Sequence, residues 1–195
     1  MRFTGQTAHA GSTPMAMRRD AFLAAARLGL ETRTLADRYG GVCTMGSVVT
    51  RPGIPTAVAG QCDCTLDQRH LEPANLAAML AGAQTACAQI ASDEHVEAAW
   101  ESLARVEPVL FAPDLIGLCA EAIGEVGAPV HRMPSGPLHD AVTMARAGVP
   151  AAMLFVQSLR GLSHTKEEDT SEEHLLLAAR AFDRLAGKTA AWILG

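Results

Sequence analysis

The sequence predicts an α/β protein made of two successive segments, residues 1–107 and 108–195. In the first segment, strand-like and helix-like patterns follow one another in the order β-α-β-β-α-β. In the second, short apolar runs alternate with helical patterns, which is typical of a parallel β/α arrangement. Hydrophobic residues make up 49% of the 195 residues, which is enough to form a core for one large domain or two small ones.

The first segment opens with a short strand at Arg2–Thr4. Apolar residues then recur at spacings close to 3.6, which predicts an amphipathic helix over about 18–39 (Phe22, Ala25, Leu28, Leu35 and Tyr39). Gly40 and Gly41 end this helix, because glycine readily adopts the left-handed conformation of a helix C-cap.

Two β-rich runs follow, at 42–50 and 56–69, and the proline-containing stretch 51–55 between them is a loop. Pro73 starts an alanine-rich helix that runs to about Ser92, and Val96–Val106 forms a last strand. This order packs most economically as two helices on one face of a four-stranded antiparallel sheet.

The second segment contains three predicted helices and two predicted strands. Pro113 and Asp114 start a helix that ends near Gly127, and His139–Arg146 forms another between strands at 130–133 and 151–156. A capping box at 170–173 starts a long last helix with one apolar face (Leu175, Ala179, Phe182, Leu185 and Ile193). Two strands are too few for an independent sheet, so we expect this segment to be the edge of a larger α/β domain, with an apolar face left uncovered.

Charge and hydropathy narrow the range of functions. The net charge is −5 and the isoelectric point about 5.8, which argues against a nucleic-acid partner. Cationic residues are scattered, so no membrane-surface helix is expected, and no apolar run reaches the roughly 18 residues of a membrane span. With no stretch of signal-peptide type, we expect a cytoplasmic protein.

Five cysteines, at positions 43, 62, 64, 87 and 119, form no recognisable disulfide framework. Cys62 and Cys64 are two residues apart in a predicted strand and therefore face the same side of a sheet. The two cysteines could form a metal-binding or redox pair. In a cytosolic protein, separate buried thiols are the favoured interpretation.

The stretch Gly5–Met15 places His9 on a turn among small residues. Gly5 and Gly11 permit backbone angles closed to other residues, and Ala8 and Ala10 leave the imidazole uncovered. Such a histidine can meet a ligand. Taken alone, this stretch favours an ordinary surface histidine over a ligand-binding one.

Two further motifs follow, Ser135-Gly136-Pro137-Leu138-His139-Asp140-Ala141 and Gly161-Leu162-Ser163-His164-Thr165. In this order, the three segments resemble the metal-dependent amidohydrolases of the M20 peptidase-like superfamily, which include allantoate amidohydrolase and N-carbamoyl-L-amino-acid hydrolase. The resemblance implies a ferredoxin-like lid and dimerisation domain at 1–107. It also implies that 108–195 is the C-terminal β/α portion of an incomplete zinc-exopeptidase-like catalytic domain, whose first part would precede Met1.

The resemblance also implies roles for individual residues. His9 matches the lid histidine that stabilises the oxyanion of the attacked amide, and it is often delivered by the partner subunit of a homodimer. Arg69, in Asp67-Gln68-Arg69-His70, matches the arginine that grips the substrate carboxylate. The alternative for Arg69 is a salt bridge to Asp67 or another neighbour. His164 matches the C-terminal histidine ligand of a two-metal site.

Substrate contacts are implied for Thr56, Ser135, Gly136 and His139. Thr56 stands where the family often has a substrate-binding asparagine, and Pro137-Leu138 replaces a small Ala-Gly pair, so the substrate can differ. His139 would face the substrate or support the residues that do. For Asp140, capping of the following helix is favoured.

The family site holds two ions of zinc, or of manganese, cobalt or nickel, but its His-x-Asp and Glu-Glu ligand motifs do not precede His164 in this chain. We therefore expect hydrolysis of a carbamoyl or ureido C–N bond in a small carboxylate substrate, by a longer enzyme in which metal-bound hydroxide attacks the carbonyl, with this chain inactive and metal-free alone. Two alternatives remain: a non-catalytic dimerisation or binding module, and an amidohydrolase of N-acyl amino acids or dipeptides.

Overall fold

The computed structural model describes residues 1–195 and divides the chain into two units, Met1–Pro108 and Val109–Gly195. Helices and small antiparallel sheets together give the mixed α/β class that the sequence predicts. No helix combines the length and the apolar character that a membrane crossing would need.

The first unit contains eight strands and two long helices. The strands are β1 (Arg2–Thr4), β2 (Ala8–His9), β3 (Val42–Thr44), β4 (Val48–Arg51), β5 (Ala57–Val58), β6 (Gln61–Cys64), β7 (Asp67–Arg69) and β8 (Glu97–Ala99). The helices are α1 (Ala21–Tyr39) and α2 (Pro73–Asp93). The last strand is thus much shorter than the predicted 96–106.

Four strands form one antiparallel sheet in the order β4-β6-β1-β8, and the remaining strands form two small pairs, β2 with β5 and β3 with β7. The core lies on the sheet face to which Phe3, Cys62 and Cys64 point, because alternate residues of a strand face the same side. Both helices cover that face, α1 through Leu28 and its alanines and α2 through Ile90 and Cys87.

Helix α1 has the cap residues that its sequence offers. The carboxylate of Asp20 accepts from the backbone N–H groups of Phe22 (3.0 Å) and Leu23 (3.2 Å), and Gly40 ends the helix at φ 70°. Ala25, Leu28 and Leu35 are buried as predicted, whereas Phe22 is 48% exposed, because the packed stripe passes through Ala21 and Ala24 instead.

The second unit contains the helices α3 (Pro113–Glu125), α4 (Asp140–Arg146) and α5 (Glu172–Leu194). Helix α3 packs on α5, and the ammonium of Lys188 bridges the two through Glu121 (2.9 Å) and Glu125 (2.8 Å). The cap of α5 is Ser171, whose hydroxyl accepts from the N–H of His174. The capping box therefore does not form as predicted, because the helix begins one residue later.

The predicted strands at 130–133 and 151–156 are absent. A strand exists only when a neighbouring backbone pairs with it, and the second of these segments makes one isolated bond, from the N–H of Ala112 to the carbonyl of Ala151 (3.0 Å). This unit therefore has no parallel sheet.

The predicted apolar face of α5 is largely exposed. Leu175, Phe182 and Ile193 are 53%, 64% and 70% exposed, while Ala181 is buried. In the whole second unit only Cys119, Ala122 and Ala181 are buried, which agrees with an apolar surface left uncovered.

Candidate functional site

The turn that carries His9 is held between two strands and the start of α1. His9 ends β2, where it pairs with Ala57 of β5, and the N–H of Ala10 donates to the carbonyl of Thr56 (2.9 Å). Two of the predicted site residues, His9 and Thr56, therefore lie on neighbouring backbone segments. Both are exposed, so both are accessible to a ligand.

The imidazole of His9 has a fixed orientation. Its Nδ1 accepts hydrogen bonds from the backbone N–H groups of Gly11 (3.0 Å) and Ser12 (3.2 Å). Because Nδ1 is an acceptor, the neutral ring carries its hydrogen on Nε2. A Cβ on residue 11 would lie 3.3 Å from the Cε1 of His9, so glycine also gives the ring its room.

Arg18 contacts the same turn from the opposite side. Its Nη2 donates to the carbonyl of Ala10 (2.7 Å) and its Nε to the carbonyl of Thr13 (3.1 Å). No role for Arg18 is predictable from the sequence, because hydrogen bonds to main-chain carbonyls have no sequence motif. The only available signal is its position between a glycine-flanked histidine and the Asp20 cap of a helix.

The ends of the turn are tied by main-chain bonds. The N–H of Gly5 donates to the carbonyl of Gly60 (2.8 Å), and that of Gln6 to the carbonyl of Arg19 (2.9 Å). Between the turn and the segment 50–59 lies a groove of about 450 Å³, lined by Ala10 and Arg18 among others. The groove is large enough for a small molecule.

Arg69 lies on a different small sheet, where Arg69 of β7 pairs with Val42 of β3. Its Nε and Nη2 donate to the two carboxylate oxygens of Asp67 (2.7 and 2.8 Å) in a bidentate pair. This is the salt bridge that the sequence allows as the alternative reading. The guanidinium lowers the pKa of Asp67, and the carboxylate raises the pKa of Arg69.

The cysteines of the first unit lie in its core. Cys62, Cys64 and Cys87 are buried and are free thiols. Burial raises the pKa of Cys62 to about 11 and also raises the pKa of the other two. Such thiols act as small apolar side chains rather than as nucleophiles.

In the second unit, Ser135, Gly136 and His139 lie on the segment that leads into α4. The hydroxyl of Ser135 donates to the carbonyl of Pro137 (3.1 Å). His139 occupies the N-cap position, so the prediction that Asp140 caps the helix is wrong: Asp140 is the first helical residue. The His139 ring packs against Phe155 at 5.8 Å between centroids, and its Nε2 is buried without a hydrogen-bond partner in the chain.

His164 lies in a bend after the short 3₁₀ turn Leu159–Gly161. Its backbone is left-handed (φ 58°), a conformation rare outside glycine, and its N–H donates to the carboxylate of Glu168 (3.1 Å). No group of three or more histidine, cysteine, aspartate or glutamate side chains is arranged to hold a metal ion. The residues of this chain therefore do not fit a complete metal site.

Comparison with known proteins decides the family. The model of "Peptidase family M20/M25/M40" matches residues 7–188. The chain belongs to this family. Its members are generally metal-dependent, and the curated relatives of this chain include amidohydrolases, which act on C–N bonds.

Two curated relatives illustrate the similarity. An N-carbamoyl-L-amino-acid amidohydrolase of Paenarthrobacter aurescens is 31% identical over 173 residues, which are 88% of this chain and 42% of the relative. An allantoate amidohydrolase of Bacillus subtilis is 30% identical over 190 residues, which are 95% of this chain and 45% of the relative. The chain thus spans less than half the length of the curated relatives it matches.

A solved structure shows the same fold. The amidase of the hydantoinase/carbamoylase family from Burkholderia multivorans superposes with a TM-score of 0.83 and 35% identity, covering 94% of this chain and 45% of that one.

Proposed function

We propose that this chain supplies the substrate-facing lid, and the last part of the catalytic domain, of an amidohydrolase that cleaves a carbamoyl or ureido C–N bond. The observation that carries the proposal is the fixed His9 ring, whose Nδ1 accepts two backbone N–H groups so that the hydrogen is on Nε2. The names of the curated relatives supply the bond type.

The chemistry requires a hydrogen-bond donor where negative charge develops. Attack of water on an amide carbonyl converts its oxygen to an oxyanion, and a donor already aimed at that position needs no reorganisation during the reaction. His9 meets this requirement, because two backbone N–H groups occupy Nδ1 and leave Nε2 as the outward donor. Thr56 adds a hydroxyl where the family often has an amide.

Arg69 is proposed to bind the carboxylate of the substrate. A planar guanidinium can hold a carboxylate in bidentate geometry, as it holds that of Asp67 here, and the substrate carboxylate would have to replace or share this pair. Ser135, Gly136 and His139 are proposed to face the substrate from the second unit.

We also propose that the first unit, as a ferredoxin-like lid, forms a homodimer. Strand β4 is the outer strand of the main sheet, and its Val48 and Val49 are 44% and 48% exposed. An open strand edge with apolar side chains is a natural site for pairing with another strand.

His164 is proposed as one ligand of the metal site implied by the family. Because the remaining ligands are not assembled in this chain, we assign no catalytic step to a metal and expect no activity from the chain alone. Elemental analysis after zinc loading and desalting should find about zero ions per chain. One or two retained ions would contradict this part of the proposal.

A chimaeric enzyme tests the function directly. This chain replaces the matching segment of the P. aurescens amidohydrolase, and hydrolysis of N-carbamoyl amino acids, allantoate, N-acyl amino acids and dipeptides is compared. We expect turnover of a carbamoyl or ureido substrate and a loss of about 10²–10³-fold in kcat for His9→Ala. His131→Ala, which alters an exposed histidine of the second unit, is the matched control.

A folded, metal-loaded chimaera without turnover of carbamoyl or ureido substrates would refute the proposal. Turnover of N-acyl amino acids or dipeptides alone would establish the other substrate class. The second candidate, a non-catalytic dimerisation module, is favoured only by the exposed edge of β4. It predicts a stable dimer of the isolated chain, measured by light scattering, together with an inactive chimaera.

A further inference from the structure

The peptide unit between Ala10 and Gly11 connects Arg18 to His9. The carbonyl of Ala10 accepts from Nη2 of Arg18 (2.7 Å), and the N–H of Gly11 donates to Nδ1 of His9 (3.0 Å). These two groups belong to one planar trans peptide unit and therefore point in opposite directions. A side chain that holds the carbonyl thus also sets the direction of the N–H.

Arg18 suits this task because its donors form a rigid fork. While Nη2 holds Ala10, Nε donates to the carbonyl of Thr13 (3.1 Å), so both ends of the turn are held by one planar group. The side chain is half-buried, and its charge strengthens the bond to Ala10. Polarisation along the peptide unit makes the N–H of Gly11 a better donor to Nδ1.

We infer that Arg18 is a positioning residue for His9. It orients the Ala10–Gly11 peptide so that Nδ1 of His9 is occupied and the Nε2–H is presented outward. Its catalytic meaning rests on the proposed function, because Nε2–H is the oxyanion donor proposed above. The arrangement itself does not depend on substrate or metal.

Nuclear magnetic resonance on the complete ¹⁵N-labelled 195-residue chain tests this inference. Long-range ¹H–¹⁵N spectra report the ring tautomer of His9, and scalar coupling across the N–H···N bond reports the contact between Gly11 and Nδ1. We compare the wild type with Arg18→Met, Arg18→Lys and the control Arg19→Met, whose side chain is exposed.

In Arg18→Met, we expect the coupling to disappear and the His9 signals to move toward a mixture of tautomers, while the melting temperature changes little. Arg18→Lys should retain part of the coupling, because one ammonium can hold one of the two carbonyls, and Arg19→Met should match the wild type. Unchanged His9 signals in Arg18→Met, or an equal loss in Arg19→Met, would overturn the inference.

Should Arg18→Met fail to fold, Arg18→Gln takes its place with the same two outcomes. An inactive chimaera would count against the proposed function only, because the ring spectra require neither metal nor substrate. An unchanged ring in Arg18→Met would count against the positioning role only.

Discussion

The close approach of Gly5 to Arg19 makes Gly5→Ala a sharp test of how the His9 turn is anchored. An added Cβ would lie 2.1 Å from the carbonyl oxygen of Arg19 and 2.8 Å from its carbonyl carbon. Real Cβ contacts stay beyond 3.0 Å, so one backbone segment must move by about 1 Å. The affected atoms belong to main chain on both sides, and no side-chain rotation can relieve the clash.

The size of the effect follows from the bonds that this movement disturbs. The Gly5–Gly60 and Gln6–Arg19 bonds, at 2.8 and 2.9 Å, would lengthen or break, at a cost of about 1–3 kcal/mol for the pair. Residual strain raises the expected loss in the free energy of unfolding to about 2–4 kcal/mol. The urea midpoint should then fall by about 1–3 M.

Tryptophan fluorescence can isolate this unit. The chain has two tryptophans: Trp100 packs against the core of the first unit, and Trp192 is on α5. In a Trp192→Phe background, the emission therefore follows the first unit alone. Gly46→Ala is the matched control, because its nearest neighbour, Thr65, would lie 3.7 Å from the new Cβ. Equal urea midpoints for Gly5→Ala and Gly46→Ala would refute the reasoning.

Three further predictions concern the first unit. Leu28→Ala, at a fully buried position, should lower the free energy of unfolding by about 2–5 kcal/mol in the same urea assay. Leu30→Ala, at a position that is 70% exposed, should change it by less than about 0.5 kcal/mol. Similar losses for the two variants would contradict the assignment of Leu28 to the core. Arg69→Gln should raise the pKa of Asp67, followed by its ¹³C carboxyl shift. Because the native pKa of Asp67 is lowered, the pair stabilises the fold at pH values above the ordinary aspartate pKa of about 3.9. This stabilisation is lost as the pH falls through the native pKa, so the difference in the free energy of unfolding between wild type and variant should shrink there. An unchanged Asp67 titration in the variant would argue against the pair. Burial raises the pKa of the Cys62 thiol to about 11. An aromatic disulfide reagent near pH 8 should therefore leave Cys62 unmodified in the native chain and modify it in urea, as measured by mass spectrometry. Rapid labelling of the native chain would count against the burial of Cys62.

The helices of the first unit were predictable because their limits are local. Asp20 caps α1 and Gly40 ends it, so the observed start differs from the predicted residue 18 by three positions. Pro73 begins α2 as expected. Each signal acts through the residue's own backbone or its immediate neighbours, which a sequence displays directly.

The strands of the second unit were not predictable in the same way. An apolar run such as 151–156 becomes a strand only through a partner, and the partner is not encoded in the run itself. Helix α5 shows a related difficulty: its predicted apolar face, which includes Leu175 and Phe182, is exposed, and periodicity alone does not tell whether such a face has a partner.

The exposure of His9 was predictable from its immediate neighbours. Glycines and alanines around His9 indicate an uncovered imidazole, and the structure leaves it exposed. The pairing of His9 with the 56–58 segment depends on main-chain groups that are distant in sequence. The hydrogen bonds from Arg18 to the turn end on main-chain carbonyls, which have no sequence motif. Such contacts become visible only in three dimensions.

The turn around His9 constrains sequence at very few positions. Gly5 and Gly11 are required for space, His9 for its ring and Arg18 for its fork, whereas Ser12 contributes a backbone N–H to the histidine. The geometry of the turn therefore depends on these four side-chain identities. Because Ser12 acts only through its backbone N–H, a side-chain change there, such as Ser12→Ala, should leave the bonds to Nδ1 of His9 in place.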